Sequence, residues 1–562
     1  MAITETQTKT TEALDNEPPP ASKLDVVLGS SDHKTIGRLW LFSGFLLLAG
    51  ALIVSTVAAY EAISLGSYDI VADAAQFTQL WSLGREVLFF GGVVPILIGL
   101  AIFVVPLQIG APTVAFARGA SASFWTWLFG IGLVIAAYIA NGGAGGGRQD
   151  FVVLWAAGLA MTVFAILWAL VIIATTVLAA RTSGMALDRV PFTSWGFFVF
   201  ALIGILSLPV MIAELALTYT TVANGMLDLS TSSSLTGVAD MANLTPALYW
   251  LAVPCLAMMV DIVGVHTSKP VAARRAVMAA LAMVGVIGFG ANFLSFASVR
   301  PVDFSNGVWV VVTAASPLVI VSVLALSGSS LKNGAPKANA ALGASLASGL
   351  VFVLGAGVAI AGLVEPITLF LDDKTTLNVD IRDTLVLHGT TFHDAIRGLI
   401  IGAAIVSLIG AVHHWSPKLW GNTSNGLLTA LSALSAAAGA LLWGAGSLIA
   451  GIDDQAAYPA SELSGGTSVE GANVVALIGI ALVAVGAVIA LANTVRSAFA
   501  DASGEPEGDR WAGLTLEWAT ASPPSFANFD SQLAVVTSAT PLAGVGANKT
   551  EANGGATESE EA

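Results

Sequence analysis

Histidine is the side chain most often used to hold a transition metal, and this chain of 562 residues has six: His33, His266, His388, His393, His413 and His414. None lies between His33 and His266, and none between His266 and His388. Two long stretches therefore offer no imidazole to any cofactor. The single cysteine, Cys255, excludes an internal disulfide, a copper–thiolate pair and a cysteine zinc site, and it reads as a small buried apolar residue. The other groups capable of chemistry are charges set in apolar surroundings: Arg85 and Glu86, Asp394 and Arg397, Glu214, and Asp261. An ionisable group in such a setting is costly unless it is paired, so each calls for a partner, a water path or a place near a helix end.

The elements that must position these groups are membrane helices. The chain is 56% hydrophobic and only 10% charged, with 58 glycines, which describes a chain built for lipid. A span needs about 20 mostly apolar residues. About twelve candidates meet that length, over 37–62, 86–108, 121–142, 151–180, 193–222, 244–265, 276–299, 308–328, 339–364, 384–412, 425–451 and 472–497. The fold class is an all-α polytopic membrane protein, with residues 31–498 as the membrane domain. Residues 1–30 form a polar N-terminal tail, expected to be disordered, and 499–562 an acidic, largely irregular C-terminal tail.

Lys34 and Arg38 precede the first span, Arg181 ends the fourth, and Arg274 and Arg275 sit between the sixth and seventh. Short basic loops of this kind predict that both termini are cytoplasmic, in a bacterial-type cytoplasmic membrane. The net charge of −15, gathered partly at Glu551, Glu558, Glu560 and Glu561, argues against nucleic acid as a partner. No short apolar core before a small-residue cleavage site is visible, so no cleaved signal peptide is expected. The runs Gly142-Gly143 and Gly145-Gly146-Gly147 mark a flexible turn between the third and fourth spans.

Several stretches of sequence carry a family resemblance. Asp32-His33-Lys34-Thr35-Ile36-Gly37 opens the first span. Val105-Pro106-Leu107-Gln108-Ile109-Gly110-Ala111-Pro112 follows the second, and Ala115-Phe116-Ala117-Arg118 and Ser123-Phe124-Trp125 come next. Leu206-Ser207-Leu208-Pro209-Val210 lies in the fifth span, and Trp415-Ser416-Pro417-Lys418-Leu419-Trp420-Gly421 ends the tenth. Thr515-Leu516-Glu517-Trp518-Ala519, Ser522-Pro523-Pro524 and Asn528-Phe529 stand in the tail. In this order the chain resembles subunit I of the bacterial haem-copper cytochrome c oxidases. The resemblance implies the twelve-helix arrangement of that subunit. It also implies two histidines, from spans two and ten, on a low-spin haem, one more from span ten on the active-site haem, and three from spans six and seven on copper.

Each of those positions is occupied by something else. Counted from Pro95 and Pro106, the span-two haem position is Gly84. The family's His-Pro-Glu-Val-Tyr in span six corresponds to Thr245-Pro246-Ala247-Leu248-Tyr249, which keeps the tyrosine, Tyr249, as a packed aromatic and loses the ligand and the proton carrier. The span-seven pair falls on Leu294 and Ser295, and the span-ten ligands on Ala395 and Arg397, or on Ile396 and Gly398 with a shift of one. The family's aspartate after Gly-Ala-Pro is Thr113, its span-eight lysine falls near Val321, and its propionate-binding arginines correspond to Asp453 and Asp454. His388 and His393 share a stretch with the span-ten positions, which keeps open a single unorthodox haem ligand.

The resemblance also places Arg85 and Glu86 opposite Asp394 and Arg397, across the space of the low-spin haem. The expectation is that Arg85 pairs with Asp394 and Glu86 with Arg397, knitting two helices together; alternatively both pairs lie near a water-accessible helix end. Glu214, Asp261, His388 and His393 are candidates for a polar path, or are snorkelling and hydrogen-bonded residues at helix ends. His413 and His414 suit an interfacial role. The function expected is a non-catalytic pseudo-oxidase: a structural or assembly subunit without haem or copper. Its expected partners are the lipid bilayer and other membrane respiratory subunits, with an oxidase subunit II or III as candidates. The alternatives are an oxygen-reducing oxidase that binds haem and copper through unorthodox ligands, and an ion or small-solute transporter.

Overall fold

The computed structural model describes residues 29–63, 69–144, 146–226, 245–297, 304–362, 387, 390–456, 467–500, 511–529 and 533–542; within helices, the side chains of 245–249, 288–297, 304–314, 316 and 467–468 lie outside that description. The described residues form twelve long helices. They are α1 (His33–Glu61), α2 (Ala74–Gln108), α3 (Ala117–Ile139), α4 (Gln149–Ala179), α5 (Phe192–Ala223), α6 (Thr245–His266), α7 (Arg274–Ala297), α8 (Phe304–Asn333), α9 (Ala340–Ala361), α10 (Phe392–Trp420), α11 (Gly426–Ile452) and α12 (Thr467–Phe499). The shortest has 22 residues, a rise of about 33 Å, enough for the hydrocarbon core of a bilayer. Nine of the twelve are long and apolar enough to cross a membrane by length and composition, counted over the described residues. The chain is a multi-pass membrane protein.

Two helices are central. All of the most apolar 18-residue window of α2 is buried, and 94% of that of α10, against 39–61% for the other seven. Their apolar residues face neighbours all round, as do those of α6 from Trp250 to His266, whereas the helices of the rim leave one side for lipid. Local chemistry fixes their limits. Asp73 caps α2 by accepting from the Gln76 N–H, and Gly421, at φ 81°, ends α10 in the left-handed conformation that glycine adopts without strain. Inside α2, Pro95 has no N–H to donate and crowds the preceding turn; the helix widens over Val87–Val93 into π geometry just before it.

Close helix contacts rest on glycine. A Cβ at Gly37 would stand 2.9 Å from the Gly99 carbonyl, and one at Gly479 would stand 2.1 Å from the Trp443 nitrogen. Small residues let α1 approach α2, and α11 approach α12, at backbone distance, the usual device where lipid gives no hydrophobic drive to association. The glycine run between α3 and α4 is not a flexible turn. Gly142 pairs with Gly147 and Gly143 with Gly146 in a short antiparallel hairpin. A Cβ at Gly143 would fall 2.2 Å from the ring of Tyr138, so only glycine lets this hairpin lie on α3.

The bundle end where α1 begins is closed by the C-terminal segment; it is called the proximal face here, and the opposite end the distal face. Lys34 Nζ donates to Asn528 Oδ1 (3.1 Å) and to the Phe526 carbonyl (3.1 Å), and pairs with Asp32 at 2.9 Å. Asn528 Nδ2 in turn donates to the carbonyls of Ala111 (2.8 Å) and Pro112 (3.1 Å). Lys418 donates to the Thr520 carbonyl at 2.6 Å and lies over the Trp518 ring. Gln108 donates to Glu517 Oε1 at 3.0 Å, while its own oxygen accepts from the Ser194 hydroxyl at 2.6 Å. With Trp518 at 2% exposure, this part of the tail is structure rather than a drape.

Two predictions follow from this face. Asn528→Ala removes one of the three partners of the Lys34 ammonium and leaves two loop carbonyls without their donor, a loss on the order of 2 kcal/mol, so limited proteolysis should release the tail faster than in the parent while the bundle stays intact. Burial pushes the Glu517 carboxyl up to about 7. The folded state therefore binds the extra proton, and stability falls as pH rises from the ordinary carboxylate range through 7. Glu517→Gln keeps an oxygen for Gln108; its melting temperature should match the parent near pH 5 and exceed it at pH 8. Parallel pH profiles would count against this assignment.

Candidate functional site

Near the distal face, α2 and α10 meet through charges. Arg85 forms an ion pair with Asp394, the two side chains being 13% and 15% exposed. The Arg85 guanidinium also lies 4.0 Å from the centre of the Trp81 ring. Arg397 comes three residues after Asp394, hence on the same face of α10, and its Nη2 donates to the Arg85 carbonyl at 3.0 Å. Of the two expected pairs the structure shows the first. Glu86 turns the other way, where its Oε2 accepts from Trp155 Nε1 of α4 at 2.8 Å, beside the Tyr138 hydroxyl. In a low-dielectric setting such a pair stabilises mainly against its own disruption, because removing one partner leaves a buried charge.

Beside the pair is a partly open cavity of about 110 Å³. Ser55 and Ala59 of α1, Phe77 and Trp81 of α2, Thr391 at the start of α10, Trp443 and Ser447 of α11 and Asn473 of α12 line it, with Gln455 beyond the end of α11. Sequence reasoning missed these wall residues. Serine, threonine and tryptophan in apolar runs give no signal until the helices that carry them are assembled.

Gly84 lies against α1. A Cβ there would come within 2.6 Å of Ser55 Oγ, so a larger side chain requires the Ser55 hydroxyl to turn away, the α1 backbone standing 3.4 Å off. Ala395 is fully buried, and a Cβ at Gly398 would meet the Trp443 ring at 2.7 Å. Deeper in the bundle, aromatic rings fill the space. Trp250 stacks on Phe200 with centroids 4.7 Å apart and donates from its Nε1 to the Phe200 carbonyl at 2.9 Å; Phe89 packs on its other neighbour side at 5.9 Å. Cys255 is 1% exposed, as its reading as a small apolar residue requires.

The remaining candidates are scattered. Asp261 caps α5: its Oδ2 accepts from the Thr193 N–H at 2.7 Å and its Oδ1 from that of Phe192 at 3.3 Å. This use of a carboxylate at a helix N-terminus satisfies donors that Pro191 leaves open. Glu214 is half-buried on the same helix, 21 residues beyond Thr193, which is about 32 Å at 1.5 Å per residue. Asp261 and Glu214 thus stand toward opposite ends of α5. His393 is half-buried next to Asp394, with its ring against Phe392. Val321, at 44% exposure, looks out of the bundle, and Asp453 and Asp454 are exposed at the end of α11. His388, and the side chains of Thr245, Tyr249, Leu294 and Ser295, lie outside the described residues.

Histidines gather at the proximal end instead. His414 Nδ1 is 3.3 Å from His266 Nε2, and Trp511 stacks on the His414 ring. His413 Nδ1 is 3.1 Å from the Thr429 hydroxyl. These side chains are buried, so the interfacial role expected for His413 and His414 is replaced by one within the packing under the tail. No group of three or more metal-binding side chains occurs among the described residues.

The ion pair makes a direct prediction. Arg85→Asp or Asp394→Arg places two like charges together and should cost on the order of 3 kcal/mol, read as a lower melting temperature in detergent. The double reversal should recover at least half of the loss, the cation–aromatic contact with Trp81 being the part not regained. A double variant no better than the worse single one would mean that the pairing does not hold the helices.

Three comparisons stand beside this geometry. The chain is 27% identical over 318 residues to a probable cytochrome c oxidase subunit 1-beta of Nocardia farcinica, covering 52% of this chain and 49% of that protein. It is 29% identical over 205 residues to cytochrome c oxidase subunit 1 of Corynebacterium diphtheriae, covering 33% and 35%. To an alternative cytochrome c oxidase subunit 1 of Bradyrhizobium diazoefficiens it is 24% identical over 567 aligned residues, covering 90% and 89%. The chain thus spans about half the length of the Nocardia relative and most of the Bradyrhizobium one. The family described as cytochrome c and quinol oxidase polypeptide I matches residues 35–482, and the chain belongs to that family.

Proposed function

We propose that this chain is a non-catalytic member of its family, a membrane subunit that keeps the oxidase fold as a structural or assembly partner of a respiratory complex. The observation that carries the reading is the junction of α2 and α10. Where the family resemblance puts two imidazoles facing each other across a haem, a guanidinium donates directly to the opposite backbone and an ion pair closes the gap. The residues there do not fit the group. Neither Gly84 nor Ala395 carries a donor atom that could bind iron. The cavity of about 110 Å³ is smaller than one of roughly 150 Å³ that takes up a single benzene. Cys255, buried among apolar side chains, and the rings of Trp250 and Phe200 make no ligand set for copper.

Charge gives further support. Asp453 and Asp454 would repel haem propionates where a clamp requires cations. The intact proximal face supports an assembly role: the bundle and tail keep a rigid, well-bonded surface that asks nothing of a cofactor. Both termini then lie on the cytoplasmic side, and the partners are other membrane respiratory subunits, of which an oxidase subunit II or III would fit the fold.

The test is a reduced-minus-oxidised spectrum with pyridine-haem and metal assays on the purified chain. The expected result is a folded protein without stoichiometric haem or copper that co-purifies with another membrane respiratory subunit when isolated gently. One haem per chain would overturn the reading.

A further inference from the structure

The sequence from Ile262 to Val302 and from Phe304 to Val364 contains no Asp or Glu, yet it holds Lys269, Arg274, Arg275, Arg300, Lys332 and Lys337. The fold gathers several of these cations on the proximal face, where the loop from α6 to α7 packs on the loop from α8 to α9. The Lys269 ammonium donates to the Asn333 carbonyl at 3.0 Å, beside Lys332. The Lys337 N–H donates to the His266 carbonyl at 3.0 Å, and the Ala335 N–H to that of Thr267 at 3.2 Å. A Cβ at Gly334 would stand 2.8 Å from the Thr267 carbonyl oxygen, so the two loops lie backbone against backbone. Lys269, Arg275, Lys332 and Lys337 are exposed, and none pairs with a carboxylate among the described residues. Arg274 is taken up by the carbonyls of Asp188 and Val190. Four cations on one platform, with no acid among them, attract an anion.

The helices below the platform select the kind of anion. Arg275 opens α7 and Lys332 closes α8, and these two helices pack on each other. Val286 stands eleven residues after Arg275 and Val321 eleven before Lys332, about three turns in each case, so each valine lies on the same side of its helix as the cation. Both valines are exposed, at 66% and 44%, and Leu318 carries the α8 stripe further at 71%. Eleven residues rise about 16 Å, the depth of one leaflet of a hydrocarbon core about 30 Å thick. A soluble anion or an acidic protein would meet the cations and make no use of the stripes beneath them. We infer that the platform binds one anionic phospholipid, its phosphate among Lys269, Arg275, Lys332 and Lys337 and its acyl chains along the exposed stripes of α7 and α8. The site is separate from the junction of α2 and α10, so it holds whether or not the chain carries haem.

The experiment titrates the full chain in neutral detergent with dioleoylphosphatidylglycerol, dioleoylphosphatidylcholine, glycerol phosphate and poly-glutamate. Native mass spectrometry counts the bound lipid, and the shift in melting temperature gives the saturation point. Phosphatidylglycerol should saturate at about tenfold lower concentration than phosphatidylcholine, with one molecule retained per chain. Lys269→Gln, Lys332→Gln and Lys337→Gln should each weaken its binding about fivefold, and the triple substitution should bring it to the level of phosphatidylcholine. These side chains are exposed, so the variants should melt with the parent when lipid is absent. Arg496→Gln, which removes an exposed cation near the end of α12, should leave the preference unchanged. Glycerol phosphate, the headgroup without chains, should need a concentration on the order of a hundredfold higher. Equal affinity for the two lipids, or a preference that survives the triple substitution or falls as far in Arg496→Gln, overturns the inference. So does glycerol phosphate that competes as well as the lipid, which would make a free phosphate the ligand, and so does saturation by poly-glutamate but not by phosphatidylglycerol, which would assign the platform to an acidic protein segment.

Discussion

The junction between α2 and α10 is the contact on which the rest of the bundle depends, because these are the most deeply buried of its nine long apolar helices. A buried helix cannot trade a poor contact for lipid. Whatever separates or joins α2 and α10 therefore sets the spacing of α1, α11 and α12 around them. Here the join is made by Arg85, Asp394 and Arg397, two residues of one helix face reaching a charge and a carbonyl of the other. Desolvation makes such a pair weak as a source of net stability, yet strong as a specifier, since each wrong register leaves a buried ion alone.

The family words in the sequence have a common location that linear reading did not disclose. Lys34 of the opening motif, Ala111 of the loop after α2, Lys418 at the end of α10, and Trp518 and Asn528 of the tail meet on the proximal face. Several of these bonds run from a side chain to a backbone carbonyl, so they depend on the path of the main chain and on one donor at each place. These bonds tie the tail to α1, α2 and α10 at one end of the bundle, while Arg85, Asp394 and Arg397 meet toward the other ends of α2 and α10.

Most of the architecture was legible in the sequence, and the reason is periodicity on the scale of a membrane. Runs of about 20 apolar residues announce each span without any knowledge of its neighbours. The pairing of Arg85 with Asp394 was legible for a different reason: charges in apolar helices are few, and the resemblance placed these two opposite each other. The same logic does not reach the indole N–H of Trp155 that donates to Glu86, because that donor is carried by a residue that reads as apolar. Nor does it reach Asp261, whose partners are backbone N–H groups at the start of α5, which every sequence possesses. The glycine hairpin between α3 and α4 was misread because glycine signals freedom in a loop and tight contact in a packed one, and only Tyr138 across from Gly143 decides which.

Separating the two ends has an energetic consequence. The tail clamp and the distal charge cluster share no residue, and α2 and α10 run between them for most of their length. Perturbations at sites more than about 10 Å apart without common partners add. A change at Asn528 therefore acts on the closure of the proximal face, and one at Asp394 on the spacing of the central helices. The coupling between the two ends is what the rigid length of α2 and α10 transmits, and the glycine contact between Gly37 and Gly99 limits it, since backbone packed on backbone leaves α1 no room to slide along α2.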